Sequence, residues 1–338
     1  MRLSPRHVWS VFVARNREFV RDRSALVWTL GFPFVLVFGF AFAFSDGTPD
    51  RHTVGVVAPP GTEQVEPVTG LDHVDHVAVH DLEAALERVQ RHRLHMLVDP
   101  ASGRYWVSDD SPTGYLLERA LHGAAVDNPD WQRETVPGES IRYVDWLLPG
   151  LLGMNMMFTA LFGVGFVIVR YRKNGVLRRL SATPLTAFEF LCGQLGSRLV
   201  ILLATTTILF LGSHLLLGIP VHGSYLALLV IYALGAVCLI ALGLTIAART
   251  ASEELAGGLL NLLTWPMMIL SGVWFSTESL HPWLQQVAAV LPLTHLIDAA
   301  RAVMLDGVGL LAVSHHLIVL ILTAGVFLAL GARLFRWD

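Results

Sequence analysis

Residues 25–44 form an unbroken apolar run of about 20 residues, the length that a helix rising about 1.5 Å per residue needs to cross about 30 Å of hydrocarbon. Further apolar runs lie at 146–169, 195–217, 225–248, 255–275 and 312–335, so about six membrane-spanning helices are expected. Composition points the same way: 54% of the 338 residues are hydrophobic and 15% charged, against about a quarter charged in ordinary soluble domains. A net charge of -3 gives no reason to expect a nucleic-acid partner, and the informative quantity is where the cations sit. The expected fold class is an α-helical polytopic membrane protein with six transmembrane helices, an outer re-entrant segment and an inserted α/β domain.

Residues 1–24 pattern as a basic amphipathic helix. Ser4 and Pro5 supply an N-cap and first helical position; Val8, Trp9, Phe12, Val13, Phe19 and Val20 share one side, with Arg6, Arg17 and Arg21 opposite. Such a helix suits a cytoplasmic membrane interface, with packing on a soluble neighbour as the alternative. Ala41-Phe42-Ala43 mimics a signal-peptide cleavage site, but the apolar run exceeds a usual signal core and the segment before it is long, so a retained span is expected. Residues 45–143 then turn polar, with strands expected at 53–57, 77–79, 96–98 and 104–107 and helices at 82–93 and 112–125. Cys192 and Cys238 lie in or near apolar segments, where no structural disulfide is expected.

Arg170-Tyr171-Arg172-Lys173 and Arg178-Arg179 make a cation-dense segment with no acidic residue before Glu189, and the positive-inside rule places it in the cytoplasm. Six spans then put Arg249, Arg333, Arg336 and both termini on that side, and the inserted domain outside. Residues 276–309, moderately apolar and broken by Pro282 and Pro292, suit an outer re-entrant or interfacial hairpin better than two spans.

Within 170–186, Gly175 breaks the chain, and Val176, Leu177 and Leu180 form an apolar edge among Arg172, Lys173, Arg178 and Arg179 before Pro184. A soluble motor can move membrane helices only through a rigid element it can grip, and a short surface helix would serve. A plain positive-inside anchor is the other reading. Gly175, Leu177, Arg179, Leu180, Thr183, Pro184 and Leu185 spell a GxLxRLxxTPL pattern similar to that of ABC-2 type permeases of bacterial ATP-binding-cassette exporters. A second stretch, Leu270-Ser271-Gly272-Val273-Trp274-Phe275 with Leu291-Pro292-Leu293-Thr294-His295 and Ala300-Arg301, resembles the re-entrant region of that family. The insert that resumes at Pro149-Gly150 resembles its larger members. The chain departs from the family where an acidic residue often precedes the glycine, since Arg170 to Asn174 include none.

The resemblance implies a type V exporter in the bacterial inner membrane: two permease copies, identical or paralogous, each docked to a separate ATPase subunit that holds ATP and Mg. It implies coupling through Gly175, Leu177, Arg178, Arg179, Leu180, Thr183 and Pro184, and a re-entrant region containing Ser271, Gly272, Pro292, Thr294, His295, Asp298 and Arg301. Its cargo would be hydrophobic or amphipathic, such as a drug, a lipid or a lipid-linked product, and no cofactor would bind this chain directly. A fused motor is not expected, because Lys173 is the only lysine and no GxxxxGK[ST] loop surrounds it.

Other polar residues have bland readings beside sharper ones. His73, His76 and His80, with Asp72 and Asp75, are weak metal candidates with no cysteine or second spaced pair in support, so no metal is expected. His315 and His316 are expected at the interface. Asp298 and Arg301 are spaced for a local structural ion pair, with a substrate contact as the alternative. Asn155, Asn261 and Thr264 are expected to serve helix packing, with a pathway lining as the alternative. A membrane receptor that binds a ligand at the outer domain and signals through the basic loop is the rival function, for which two spans would suffice. A membrane enzyme would need a catalytic constellation that the sequence does not display.

Overall fold

The computed structural model describes residues 4–43, 52–59, 74–90, 94–108, 111–124, 131–136, 142–250, 252–277, 280–335 and 337. The chain divides into two compact units, one of residues 44–143 and the other of residues 1–43 with 144–338.

The larger unit opens with α1 (Pro5–Arg21) and α2 (Arg23–Ala43). The smaller contains β1 (His52–Val57), β2 (Val74–Val79), α3 (Leu82–Gln90), β3 (Met96–Asp99), β4 (Arg104–Ser108), α4 (Pro112–Ala124) and β5 (Gln132–Val136). Its sheet order is β2-β1-β3-β4-β5, parallel except for the β3–β4 pair. Alternation along the strands sorts side chains to two faces. Val54, Val56, Met96, Val98, Tyr105 and Val107 pack with Leu117 and Leu121 of α4. On the opposite face, Val79, Leu97, Trp106 and Val136 pack with Ala85 and Val89 of α3. A sheet covered on both faces explains why Met96, Leu97 and Val98 are all buried rather than alternating. Tyr105 Oη donates to Glu118 at 2.6 Å and Trp106 Nε1 to Glu134 at 2.6 Å. Burial, reinforced by Glu118, pushes the Tyr105 phenol up, so it stays a donor.

The larger unit continues with α5 (Tyr143–Lys173), α6 (Val176–Ser181), α7 (Ala187–Leu217), α8 (Tyr225–Ala247), α9 (Glu253–Leu270), α10 (Pro282–Ala288), α11 (Pro292–Asp306) and α12 (Ser314–Leu334). Among the described residues, α2, α5, α7, α8 and α12 are long and apolar enough to cross a membrane, and the α10–α11 pair, bent by 90°, brings the count to six if taken as one broken span. The expected 255–275 span is not among them. Helix α9 stops at Leu270, and Glu253 and Glu254 occupy its first turn. In the 276–309 segment, expected as a re-entrant or interfacial hairpin, α10 and α11 are bent by 90° and α11 buries eleven residues, from Pro292 to Leu305.

Helix packing in lipid depends on close backbone approach at small residues. A Cβ on Gly150 would lie 2.8 Å from the Val273 carbonyl oxygen, so α5 meets the turn after α9 where only glycine fits. Gly150→Val is expected to lower the unfolding temperature in detergent by several degrees, as overpacking costs about 1–3 kcal/mol. Unchanged melting would show that this approach is not needed.

Candidate functional site

Helix α5 runs on through Arg170, Tyr171, Arg172 and Lys173, which were expected to start a loop. These residues brace the helix end. Arg172 donates from Nη1 to Ala247 O at 3.0 Å and to Thr250 O, and from Nη2 to Ala248 O at 2.9 Å. A guanidinium thus satisfies the last carbonyls of α8, where the helix dipole favours a cation. Lys173 lies 3.5 Å from Glu253 at the start of α9. Tyr171 Oη donates to Glu18 at 2.5 Å and accepts from Arg15 Nη1 at 2.7 Å, while Arg15 Nε donates to Gln194 at 2.9 Å. Arg172→Ala should therefore cost about 2–3 kcal/mol by orphaning carbonyls. Arg172→Lys should recover little, since an ammonium lacks the planar fork. Equal thermal stability of Arg172→Ala and the parent would contradict this bracing role.

Gly175 turns the chain with a φ of 67°, a left-handed conformation that glycine adopts without strain, and α6 begins immediately after it. Leu177 is fully buried and Leu180 partly so, while Arg178, Arg179, Thr183 and Pro184 are exposed. The expected apolar edge therefore splits: Leu177 is buried within its own chain and Leu180 is left half-buried. Thr183 Oγ1 donates to Leu180 O at 2.6 Å, closing the segment.

Helix α7 starts eight residues before the expected 195–217 run. Thr186 and Glu189 form a capping box, with Thr186 N donating to Glu189 at 2.9 Å and Glu189 N to Thr186 Oγ1 at 3.2 Å. The same carboxylate accepts from Ser4 N at 2.7 Å, so one side chain ties the start of α1 to the start of α7. Trp9 and Val20 of α1 stay exposed. Between α1, α6 and α7 lies a cleft of about 390 Å³ whose lining includes Val11, Val176, Leu180, Leu185 and Phe190. Exposed Arg178 and Arg179 share α6 with two of those residues.

The second expected region gathers around Arg301. Its guanidinium lies 3.9 Å from the Trp146 ring centre, donates from Nη2 to Gly272 O at 2.9 Å and from Nε to Trp146 O at 3.3 Å. Asp298, the expected partner, is 3.9 Å away. Arg301 is thus a tie between α11, α5 and the turn after α9, where Gly272 has a φ of 75° and Ser271 is buried. Pro292 starts α11 and Thr294 is buried in it. His295 pairs with His316 Nδ1 to Nδ1 at 2.8 Å, and its Nε2 lies 2.8 Å from Ala289 O. The His315 and His316 rings are tilted by 40° with their centroids 3.7 Å apart.

Of the polar residues within apolar runs, Asn155 and Thr264 are buried, whereas Asn261 stands on the exposed side of α9 with Leu262 and Trp265. His80 lies 3.0 Å from Ala58 O through Nδ1, and about 13 Å of extended chain separates it from His76. Burial lowers the pKa of His76. His73 and Asp72 lie outside the described residues, as do Arg336 and residues 91–93 of the expected 82–93 helix. Arg198, within the expected third span, went unremarked in the sequence reading, although a cation in an apolar run is itself a signal.

Long apolar helices, a bent α10–α11 pair and a short basic helix at the joint of two spans define a polytopic membrane protein of the permease class. Residues 23–333 match the family described as ABC-2 family transporter protein, and the chain belongs to that family. It is similar to the inner membrane transport permease YhhJ of Escherichia coli (strain K12), 27% identical over 183 residues, which cover 54% of this chain and 49% of that one. It is similar to the linearmycin resistance permease protein LnrN of Bacillus subtilis (strain 168), 28% identical over 188 residues, 54% of this chain and 48% of the other. These two matches span about half the length of each relative. A longer match, 22% identical over 363 residues, covers 97% of this chain and 96% of the Escherichia coli (strain K12) protein named "Probable multidrug ABC transporter permease YbhS".

Proposed function

We propose that this chain is the membrane-spanning subunit of an exporter driven by a separate ATP-binding-cassette ATPase, which grips it at α6. The observation that carries this reading is the arrangement of α6: Leu177 locked inside, Leu180 on the wall of an open cleft, and Arg178 and Arg179 exposed beside it. An apolar anchor site ringed by cations fits a partner with an apolar knob and an acidic rim. Family membership supports an ATPase on another polypeptide, which would hold ATP and Mg.

Arg172, Lys173, Arg178 and Arg179 favour a cytoplasmic location for this end of the bundle, with α1 lying at the inner interface of the bacterial inner membrane. With α9 counted as a span and the α10–α11 pair as re-entrant, both termini fall inside and the α/β unit outside. Helix α9 has 18 residues, about 27 Å, enough for a thin crossing. A second permease copy is supported by Asn261 on the exposed face of α9, since an amide is better satisfied across an interface than against lipid. The relatives' names, multidrug transport and linearmycin resistance, support an amphipathic cargo moved outward. The receptor alternative, which would bind a ligand at the outer domain and signal through the basic loop, needs only two spans, and the further apolar helices favour a pathway.

Inside-out vesicles containing the permease and its ATPase provide the test. ATP should drive uptake of an amphipathic dye into them, and the permease without its ATPase should not. ATP-driven loss of preloaded dye would reverse the assigned direction.

A further inference from the structure

We infer that the cleft bounded by α2, α5 and α7 is a binding site for an amphipathic anion, with Arg198 meeting the acidic head and aromatic side chains meeting the tail. The cleft has a volume of about 370 Å³, within the range of small-molecule sites, and its walls carry Trp28, Phe32, Phe158 and Phe162. Arg198 and Asn155 are among its few polar lining residues.

Arg198 sits in the first turn of the apolar 195–217 run of α7, where a cation without a carboxylate partner is costly. Among the described residues no carboxylate pairs with it. Its Nε donates to Thr159 O at 3.0 Å, and its Nη2 reaches the same oxygen. A guanidinium has five N–H donors, so one carbonyl leaves donors for another acceptor. The neighbouring charge that acts on it is that of Arg15, another cation, whose own carboxylate partner is Glu18 at 2.6 Å.

The position of this cation is built by α5. A Cβ on Gly163 would fall 1.4 Å from Arg198 Nη2, so the absence of a side chain there is what lets the guanidinium lie across the helix. Asn155, Thr159 and Gly163 follow one another at i, i+4 and i+8, on one face of α5. Asn155 is 9% exposed, lines the same cleft, and its Nδ2 has no acceptor among the described residues. Arg198, which has the Phe19 ring 5.9 Å away and no carboxylate partner among the described residues, calls for an acidic head on an otherwise apolar molecule, and the Asn155 donor, about 12 Å away along α5, would take a further acceptor oxygen. A carboxylate or phosphate on an alkyl or aryl body has that chemistry, whether it arrives as a free amphipath or as an anionic phospholipid. The cleft's role as a cargo site rests on the permease reading, but binding there needs no ATPase.

The full chain in phosphatidylcholine nanodiscs should bind dodecyl phosphate at least tenfold more tightly than dodecanol. Arg198→Gln should abolish that preference. Gly163→Ala, which keeps the charge but displaces the guanidinium, should weaken it, and this second variant covers the case in which Arg198→Gln fails to fold. Phosphatidylglycerol added to the nanodisc should compete if the natural source is a lipid headgroup; lack of competition points to a free amphipath, and either result supports the site. Equal binding of phosphate and alcohol, or an unchanged preference in both variants, would overturn it. Because the ATPase is absent from this assay, such a failure leaves the permease reading standing, and a failed ATPase association leaves this binding intact.

Discussion

Leu180→Asp is expected to lower affinity for the ATPase by at least about tenfold, equivalent to about 1.4 kcal/mol, and to abolish ATP hydrolysis that depends on the permease. The leucine is partly exposed on the wall of the α1–α6–α7 cleft, so a carboxylate there is tolerated by the free subunit but becomes an unpaired charge once a partner covers it. Leu177→Asp would not discriminate, because Leu177 is 0% exposed and a charge there disturbs the permease itself. Leu180→Ala should produce an intermediate loss, since it removes contact area without adding charge. The measurement is a binding titration of purified ATPase against nanodisc-held permease, with the thermal stability of each variant as control. Full affinity in a stable Leu180→Asp protein would remove α6 from the interface.

Arg301→Ala should destabilise the larger unit by about 3 kcal/mol, through two orphaned carbonyls and a lost cation–π contact. The side chain is 11% exposed, and its removal takes away the bonds to Gly272 O and Trp146 O together with the stacking on the Trp146 ring. Asp298→Ala should cost far less, since the carboxylate is 31% exposed and 3.9 Å distant. Arg301→Lys should restore under half of the loss, because a point charge cannot serve two carbonyls and a ring face together. Thermal unfolding in detergent reads all three. Equal effects of Arg301→Ala and Asp298→Ala would mean that the ion pair, not the carbonyl tie, is what matters.

The unequal roles of these neighbours mark where sequence reasoning stops. Apolar runs located the long helices α2, α5, α7, α8 and α12 because a lipid crossing demands such runs, but they measure the part of a helix suited to hydrocarbon rather than the helix. Thr186 and Glu189 carry a capping-box spacing that marks the observed start of α7, eight residues before the apolar run at 195 begins. Spacing grouped Leu177 with Leu180 and could not say which one faces inward, since that depends on where α1 and α7 lie. Arg172 reads as one more cation of a basic loop, and only the position of the α8 carbonyls makes it a cap. Strand β5 was missed because its sequence, Gln132 to Val136, buries only its last residue and shows no alternation. In contrast, β3 and β4 were legible because a core strand covered on both faces concentrates apolar residues. The motif at Gly175 was legible for a backbone reason: a left-handed turn before a short helix favours glycine.

Site-directed cross-linking tests the gripping of α6 most directly. Arg178→Cys in a Cys192→Ser background, with Cys238 left buried in α8, places an accessible thiol on α6. In membranes containing the ATPase, a short bifunctional reagent should join that thiol to the ATPase subunit. Trp283→Cys, at the exposed surface of α10, should give no such product. The reverse pattern, or cross-linking at neither position despite a co-purifying ATPase, would contradict docking through α6.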